Sequence, residues 1–199
     1  MNITAKMVQE LRRKTSAGIM DCKKALKEND GNLEKSIEYL RKKGINAAAS
    51  KVSRIALSGK IESYIHLEGK IGVLAEINCE TDFVAKTEIF NEFVKDILLQ
   101  IAALDPKYIS REEVQSDVLE KEKDIFRTQA EKSKKPAAVI ERIVKGKIEK
   151  YYQETCLVDQ TFIKDSNKNI KTLLLETIAK LGENIVIRRF ARFKLGEDL

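Results

Sequence analysis

The 199-residue sequence contains a single histidine, His66, and only three cysteines. Nucleophilic catalysis needs a nucleophile beside its base, and no such combination of residue types surrounds His66. Cys22, Cys79 and Cys156 are odd in number and widely spaced, which is typical neither of a disulfide framework nor of a zinc site. The sequence therefore predicts a protein that is not an enzyme, needs no cofactor or metal, and works in a reducing compartment.

The sequence also predicts no segment for membrane insertion or secretion. No apolar run approaches the length that spans a bilayer, and the first residues do not have the charged-then-apolar layout of a signal peptide. The nine glycines form no phosphate-cradling loop. We expect a protein of the bacterial cytoplasm, or of an organelle stroma such as that of a plastid, without a membrane partner.

Positive charge is unevenly distributed. The net charge is +6, yet residues 1–60 hold 14 Lys and Arg against 6 Asp and Glu. Such a balance favours RNA or an acidic protein surface as a partner. However, the basic clusters lie at the ends of predicted helices, where the helix dipole favours cations, and no aromatic residues for base stacking are interleaved with them. A basic RNA-associated or ribosome-associated protein stays an alternative, and specific nucleic-acid binding is not expected.

Apolar residues recur at helical spacing through the first fifty residues. They predict three short helices: one over 3–14 with Thr4 as its cap, one capped by Asp21, and one capped by Asn32 and ended by Gly44. We predict that residues 1–54 form an N-terminal three-helix bundle with its linker, and that Lys51, Arg54 and Lys60 lie on a solvated connector.

From residue 60 the apolar period changes from helical spacing to alternation, which predicts a β-hairpin with its second strand central in the sheet. A helix over 88–104, two charged helices over 110–135 and 137–152, a helix over 170–181 and a last strand over 185–195 follow. The chain is predicted to be an α+β protein. Its core domain spans 55–199, a small antiparallel sheet packed by helices, with an antiparallel helical hairpin inserted at about 107–154.

The segment Cys79-Glu80-Thr81-Asp82-Phe83-Val84-Ala85-Lys86 lies where the central strand passes to the 88–104 helix. A loop on a rigid base is a common place for a binding site. The residues alone also allow a second interpretation, in which Asp82 caps the next helix and Phe83 packs its first turn onto the core.

Three segments resemble one family. The run 78–86 is similar to the signature of elongation factor Ts, and the runs 11–26 and 182–190 match further segments of that family in the same order. The resemblance covers essentially the whole chain and is closest to the short form with one copy of the core unit. It implies a guanine-nucleotide exchange factor for the translational GTPase elongation factor Tu, with an N-terminal bundle of the ubiquitin-associated type.

The resemblance also implies the site residues. Asp82 and Phe83 are implied to enter the GTPase beside its magnesium and nucleotide, either with Asp82 positioning the loop or with Asp82 disturbing magnesium directly. A second contact is implied at the N-terminal turn, although the apolar Ile19 and Met20 there could also close the core of the bundle. Short members are implied to form homodimers, and the candidate surfaces here are the apolar stripe of 137–152 and the edge strand 185–195. The residues in the magnesium-dislocation region are Thr81, Asp82, Phe83 and Val84, and those in the N-terminal turn are Leu11, Ala17, Gly18, Ile19 and Met20.

Overall fold

The structure, a computed structural model, describes residues 3–15, 17–132 and 135–197. Its helices are α1 (Ala5–Thr15), α2 (Ile19–Glu28), α3 (Leu33–Ala49), α4 (Asp82–Ala85), α5 (Glu88–Leu104), α6 (Ser116–Glu131), α7 (Ala137–Thr155) and α8 (Ile170–Leu181). Its strands are β1 (Ser58–His66), β2 (Ile71–Cys79), β3 (Thr161–Phe162), β4 (Asp165–Asn169) and β5 (Ile185–Lys194).

The predicted α+β class is confirmed. Helices come first, followed by a small antiparallel sheet and further helices. The strand order of the three-stranded sheet is β1-β2-β5, so β2 is central as expected and β5 pairs with the β1–β2 hairpin. A second, two-stranded sheet pairs β3 with β4. None of the described helices is both long and apolar enough to cross a bilayer.

The described chain divides into two compact units, each assembled from separate stretches of sequence. The first unit contains the described part of residues 1–60 together with 77–93 and 172–186. The second contains residues 61–76, the described part of 94–171, and the described residues that follow 186. The predicted domain division between residues 54 and 55 stays a prediction.

Helix caps in the N-terminal bundle are partly as predicted. The Thr4 hydroxyl accepts the Met7 N–H at 3.3 Å, and the Asn32 side chain accepts the Lys35 N–H at 3.0 Å. The predicted cap at Asp21 is wrong, because α2 begins two residues earlier with Gly18 as a cap that lacks a side-chain bond. Asp21 instead lies in the first turn and pairs with Lys43 on α3 at 2.6 Å.

Gly44 does not end α3, contrary to the expectation. The helix continues through it to Ala49, and a Cβ built on Gly44 would lie 3.2 Å from the Ala179 Cβ of α8. Glycine in a helix interior costs about 1 kcal/mol relative to alanine. Here that cost is offset by the close approach of the two helices, which a sequence read one segment at a time does not show.

The helical hairpin is shorter at its start than predicted. Residues 110–115 do not join α6, since Arg111–Glu113 form a 3₁₀ turn and α6 begins at Ser116. Arg111 binds Asp159 and Glu149 at about 3 Å, and these carboxylates raise the pKa of its guanidinium. The Lys107 and Tyr108 N–H groups donate to the Thr155 carbonyl, so backbone bonds join the chain before α6 to the end of α7.

The alternating apolar residues of β1 lie on the exposed face of the strand. Ile61 and Ile65 are 60% and 63% exposed, whereas Tyr64 and His66 are half-buried and hydrogen-bonded to each other at 2.8 Å. The apolar alternation predicts a strand, but it does not predict which face of the strand is covered.

Candidate functional site

The candidate site is the α4 turn, which runs from its N-cap Thr81 to its C-cap Lys86 in the first unit. The end of β2 is buried below it, with Ile77 and Cys79 fully inaccessible. Val84 is 9% exposed, while the adjacent Phe83 is 77% exposed. A short, anchored turn therefore holds an aromatic ring in solvent.

Thr81, not Asp82, caps this turn. The Thr81 hydroxyl accepts the Val84 N–H at 3.4 Å, and the Thr81 carbonyl accepts the Ala85 N–H at 3.3 Å. The next turn is fixed in the same way, since the Thr87 hydroxyl accepts the Phe90 N–H at the start of α5. The interpretation in which Asp82 is the cap and Phe83 packs onto the core does not agree with this geometry.

Asp82 is exposed beside Phe83 and pairs with Lys86 one turn later at 2.7 Å. The hydrogen bond from Lys86, with its positive charge, lowers the pKa of the Asp82 carboxyl. The Lys86 Nζ also lies 6.0 Å from the centroid of the Phe83 ring. Lys86 thus contacts both Asp82 and Phe83, and Asp82 is a carboxylate at neutral pH.

Cys79 lies under the turn and is not exposed. Its thiol donates to the Thr81 carbonyl at 3.1 Å, and burial raises its pKa, with the charge of Glu183 acting in the same direction. A neutral thiol at this position serves as a structural donor. Among the described residues there is no cluster of three or more His, Cys, Asp or Glu side chains that could hold a metal ion.

Glu183 contacts the α4 turn, Glu80 precedes the turn and is bound by Asn184, and none of these three residues was predicted as functional. Glu183 accepts hydrogen bonds from Thr81, and the Asn184 N–H donates to Glu80 at 2.6 Å. Glu183 and Asn184 belong to the 182–190 segment that carried part of the family resemblance. The segment was visible in the sequence, but its contact with residues about a hundred positions earlier was not.

The cations of the 50–60 segment are not simply solvated. Lys51 donates to the Gly182 carbonyl at 2.8 Å, Arg54 lies 3.5 Å from Glu80, and Lys60 donates to the Asn91 side chain at 2.9 Å. The expected solvated connector is therefore wrong for the half-buried Lys51 and Lys60, whereas the Arg54 side chain is 51% exposed and agrees with it. Ile55 and Leu57 in the same segment are 77% and 84% exposed.

The N-terminal turn presents apolar side chains to solvent. Ile19 and Met20 are 56% and 74% exposed, Gly18 is exposed and Ala17 is half-buried. Leu11 differs from these because it is fully buried in the bundle core, where it supports the turn from inside.

Ile19 also lines an open groove of about 460 Å³ on the bundle. Apolar side chains from α1 and the preceding residues form much of its wall, and Arg12 and Lys23 add positive charge. The groove suits a partner surface that is apolar with acidic groups beside it. The first unit thus presents exposed apolar side chains at Phe83 and at Ile19, besides those of Ile55 and Leu57.

A model of the family described as Elongation factor TS matches residues 1–197. Curated proteins named Elongation factor Ts are similar over 90% or more of their own length. One from Caldanaerobacter subterraneus subsp. tengcongensis is 60% identical over 197 residues, covering 99% of this chain and 98% of that protein. Another from Thermoanaerobacter sp. strain X514 is 58% identical, covering 99% and 97%. A third from Geotalea uraniireducens is 57% identical over 199 residues, covering 100% and 92%.

Proposed function

The chain belongs to the elongation factor Ts family, and we propose that it promotes release of GDP from elongation factor Tu by disturbing the magnesium and phosphate site of that GTPase. The observation that carries this proposal is the exposure of Phe83 on an anchored turn. In this proposal the protein is not an enzyme, needs no cofactor of its own, and acts in the bacterial cytoplasm or an organelle stroma.

A GTPase holds GDP partly through Mg²⁺, which demands near-ideal octahedral geometry. A ring inserted beside a ligand-bearing helix can spoil that geometry, because packed interiors switch between arrangements instead of deforming smoothly. Burying a Phe side chain stabilises a complex by roughly 1.5–3 kcal/mol, similar to a typical coupling between two sites of about 1–3 kcal/mol. Phe83 accordingly supplies part of the effect, and other contacts supply the rest.

The N-terminal bundle supplies the second contact in this proposal. Ile19 and Met20 would bury their exposed side chains against the GTPase, with Arg12 and Lys23 beside them. This contact holds the complex together, whereas Phe83 acts on the nucleotide site. The protein should bind nucleotide-free GTPase best. Because coupling is reciprocal, GDP should weaken the binding of this protein by the same factor by which this protein weakens the binding of GDP.

Release of labelled GDP from purified elongation factor Tu tests the function. We expect this protein to increase the release rate in a saturable way. The RNA-associated alternative predicts no acceleration, together with affinity for bulk RNA that falls steeply with salt. An unchanged release rate at a saturating concentration of this protein would overturn the proposed function.

We further propose that two copies associate through the outer face of the sheet, defined here by Ile61, Ile65, Gly72 and Leu74. Leu74 is 48% exposed, and a Cβ on Gly72 would lie 3.4 Å from Ile65 Cδ1, so these residues share one face. The solvated face of an antiparallel sheet is ordinarily polar. A two-fold interface uses the same surface on both subunits, so the apolar patch of one copy can be buried against the identical patch of the other copy.

The two surfaces predicted for the homodimer stay predictions, and they differ in exposure. On the 137–152 stripe, Val144 and Ile148 are only 4% and 8% exposed, and α7 packs against α6. That stripe is used within the chain. The predicted edge strand is β5, which carries the 66% exposed Phe193 and stays a candidate beside the exposed apolar face of β1 and β2.

Sedimentation velocity tests this association. We expect the wild-type protein to sediment as a dimer at micromolar concentration and the Ile65→Lys variant to sediment as a monomer, because the new charge would be buried without a partner. The Ile125→Lys change on exposed α6 is the matched control and should leave the dimer intact. A monomeric wild-type protein, or an unaffected Ile65→Lys dimer, contradicts the proposed surface.

A further inference from the structure

The loop 182–184, directly after α8, is tied to the base of the α4 turn. Gly182 ends α8 with φ near +79°, and its N–H donates to the Ile178 carbonyl at 2.8 Å. That turn directs the following two residues toward the end of β2. All of these residues lie in the first unit.

Glu183 holds Thr81 with both carboxylate oxygens. Its Oε2 accepts the Thr81 N–H at 3.0 Å, and its Oε1 accepts the Thr81 hydroxyl at 2.7 Å. The same hydroxyl accepts the Val84 N–H. The carboxylate therefore orients the hydroxyl hydrogen so that the oxygen lone pair is free to cap α4, and hydrogen bonds in such a chain strengthen one another.

In a second contact the 182–184 loop is the hydrogen-bond donor. The Asn184 N–H donates to the Glu80 carboxylate at 2.6 Å, so Asn184 binds Glu80 and Glu183 binds Thr81. Asn184, which is 1% exposed, also donates its side-chain amide to the Val52 and Arg54 carbonyls at 3.1 and 2.7 Å. The loop thus fixes the α4 turn and the segment that follows the N-terminal bundle at the same point.

We propose that Glu183 is a positioning residue for nucleotide exchange, acting through Thr81 to hold the α4 turn so that Phe83 stands outward. This inference rests on the proposed function, since the positioned group is the side chain that enters the GTPase. A ring on a loose turn would have to be ordered at the moment of insertion, and that ordering takes away part of the free energy that binding supplies. Glu183 itself need not touch the GTPase.

Amide hydrogen exchange on the free protein tests the positioning without any partner. In Glu183→Ala we expect the protection of the Thr81 and Val84 amides to fall by about tenfold or more, because a charge-assisted acceptor and the oriented cap are lost. Glu183→Gln keeps one carbonyl acceptor and should give an intermediate loss. Glu176→Gln, which removes the ion pair of α8 with Arg41, is the matched control and should leave both amides protected.

Exchange kinetics test the consequence. At saturating concentration of the variant, the maximum rate of GDP release should fall by about tenfold in Glu183→Ala, while the concentration that gives half of that maximum changes by less than about threefold. The loss should follow the order wild type, Gln, Ala. In a Thr81→Val background the Glu183→Ala change should add little further loss, because each change removes the oriented hydroxyl that caps α4.

The outcomes separate this inference from the proposed function. If the wild type fails to accelerate GDP release, the proposed function fails and the positioning inference fails with it, whatever the amide protection. If Phe83→Ala loses acceleration but Glu183→Ala keeps the wild-type maximum rate, the positioning inference is overturned and the proposed function stands. The same holds if the rate losses of Thr81→Val and Glu183→Ala simply add. A lower melting temperature with an unchanged maximum rate would mean that Glu183 is only structural.

Discussion

Replacing Phe83 with alanine should lower the maximum rate of GDP release from elongation factor Tu by about tenfold or more, because burial of that ring supplies roughly 1.5–3 kcal/mol. The variant should stay folded. Phe83 is 77% exposed and contributes little to the core, so its removal should change the free energy of unfolding by no more than about 0.5 kcal/mol. The measurement is stopped-flow release of a fluorescent GDP at saturating concentrations of each variant.

A graded series sharpens this result. Phe83→Leu retains part of the buried area and should fall between wild type and alanine. Ile125→Ala removes another exposed apolar side chain, from α6, and should leave the release rate unchanged. An unfolded Phe83→Ala protein would favour the packing role for the ring, and a folded variant with full activity would remove Phe83 from the mechanism.

Gly59→Ala should be among the most destabilising single changes in the chain. Gly59 has φ near +133°, and a Cβ there would lie 2.2 Å from the Ile77 carbonyl oxygen and 2.6 Å from the Asn78 Cα. Neither neighbour is the end of a flexible side chain, so the backbone of β1 or β2 must move. We expect a loss of about 3 kcal/mol or more, and a fall in melting temperature of about 6–12 °C.

Two other glycines serve as controls for this change. Gly69 has φ near +93° with nothing near its would-be Cβ, so Gly69→Ala isolates the strain of the left-handed backbone. Gly146 lies in α7 with open space around it, and Gly146→Ala should stabilise the protein by roughly 0.5–1 kcal/mol. Melting of Gly59→Ala within about 2 °C of the wild type, on the same scale, would show that β1 can shift without cost.

Local sequence signals account for much of the fold. The helix over 88–104 and the helix over 170–181 lie where the periodicity predicts them. Each is set by apolar spacing and end residues within one segment. The errors arise where a distant segment decides the outcome. α3 passes through Gly44 because α8 packs there, and α6 starts late because Arg111 binds carboxylates on other segments.

The candidate site likewise has features that the local sequence predicts and features that a distant segment decides. A strand followed directly by a helix places the Asp82-Phe83 pair in a turn, and the sequence is sufficient for that. Whether Phe83 or the adjacent Val84 points outward depends on which residue caps the turn. The cap is Thr81, and Glu183 orients its hydroxyl. That partner lies 102 residues away in the chain, so no local pattern contains it.

The magnesium dependence of GDP release tests the central claim most directly. The quantity to measure is the ratio of release rates with and without saturating amounts of this protein, first with Mg²⁺ present and then after its chelation. If the protein acts partly by disturbing the magnesium site, chelation already supplies that part, and the ratio should fall by about tenfold or more. An equal ratio in the two conditions would contradict the account.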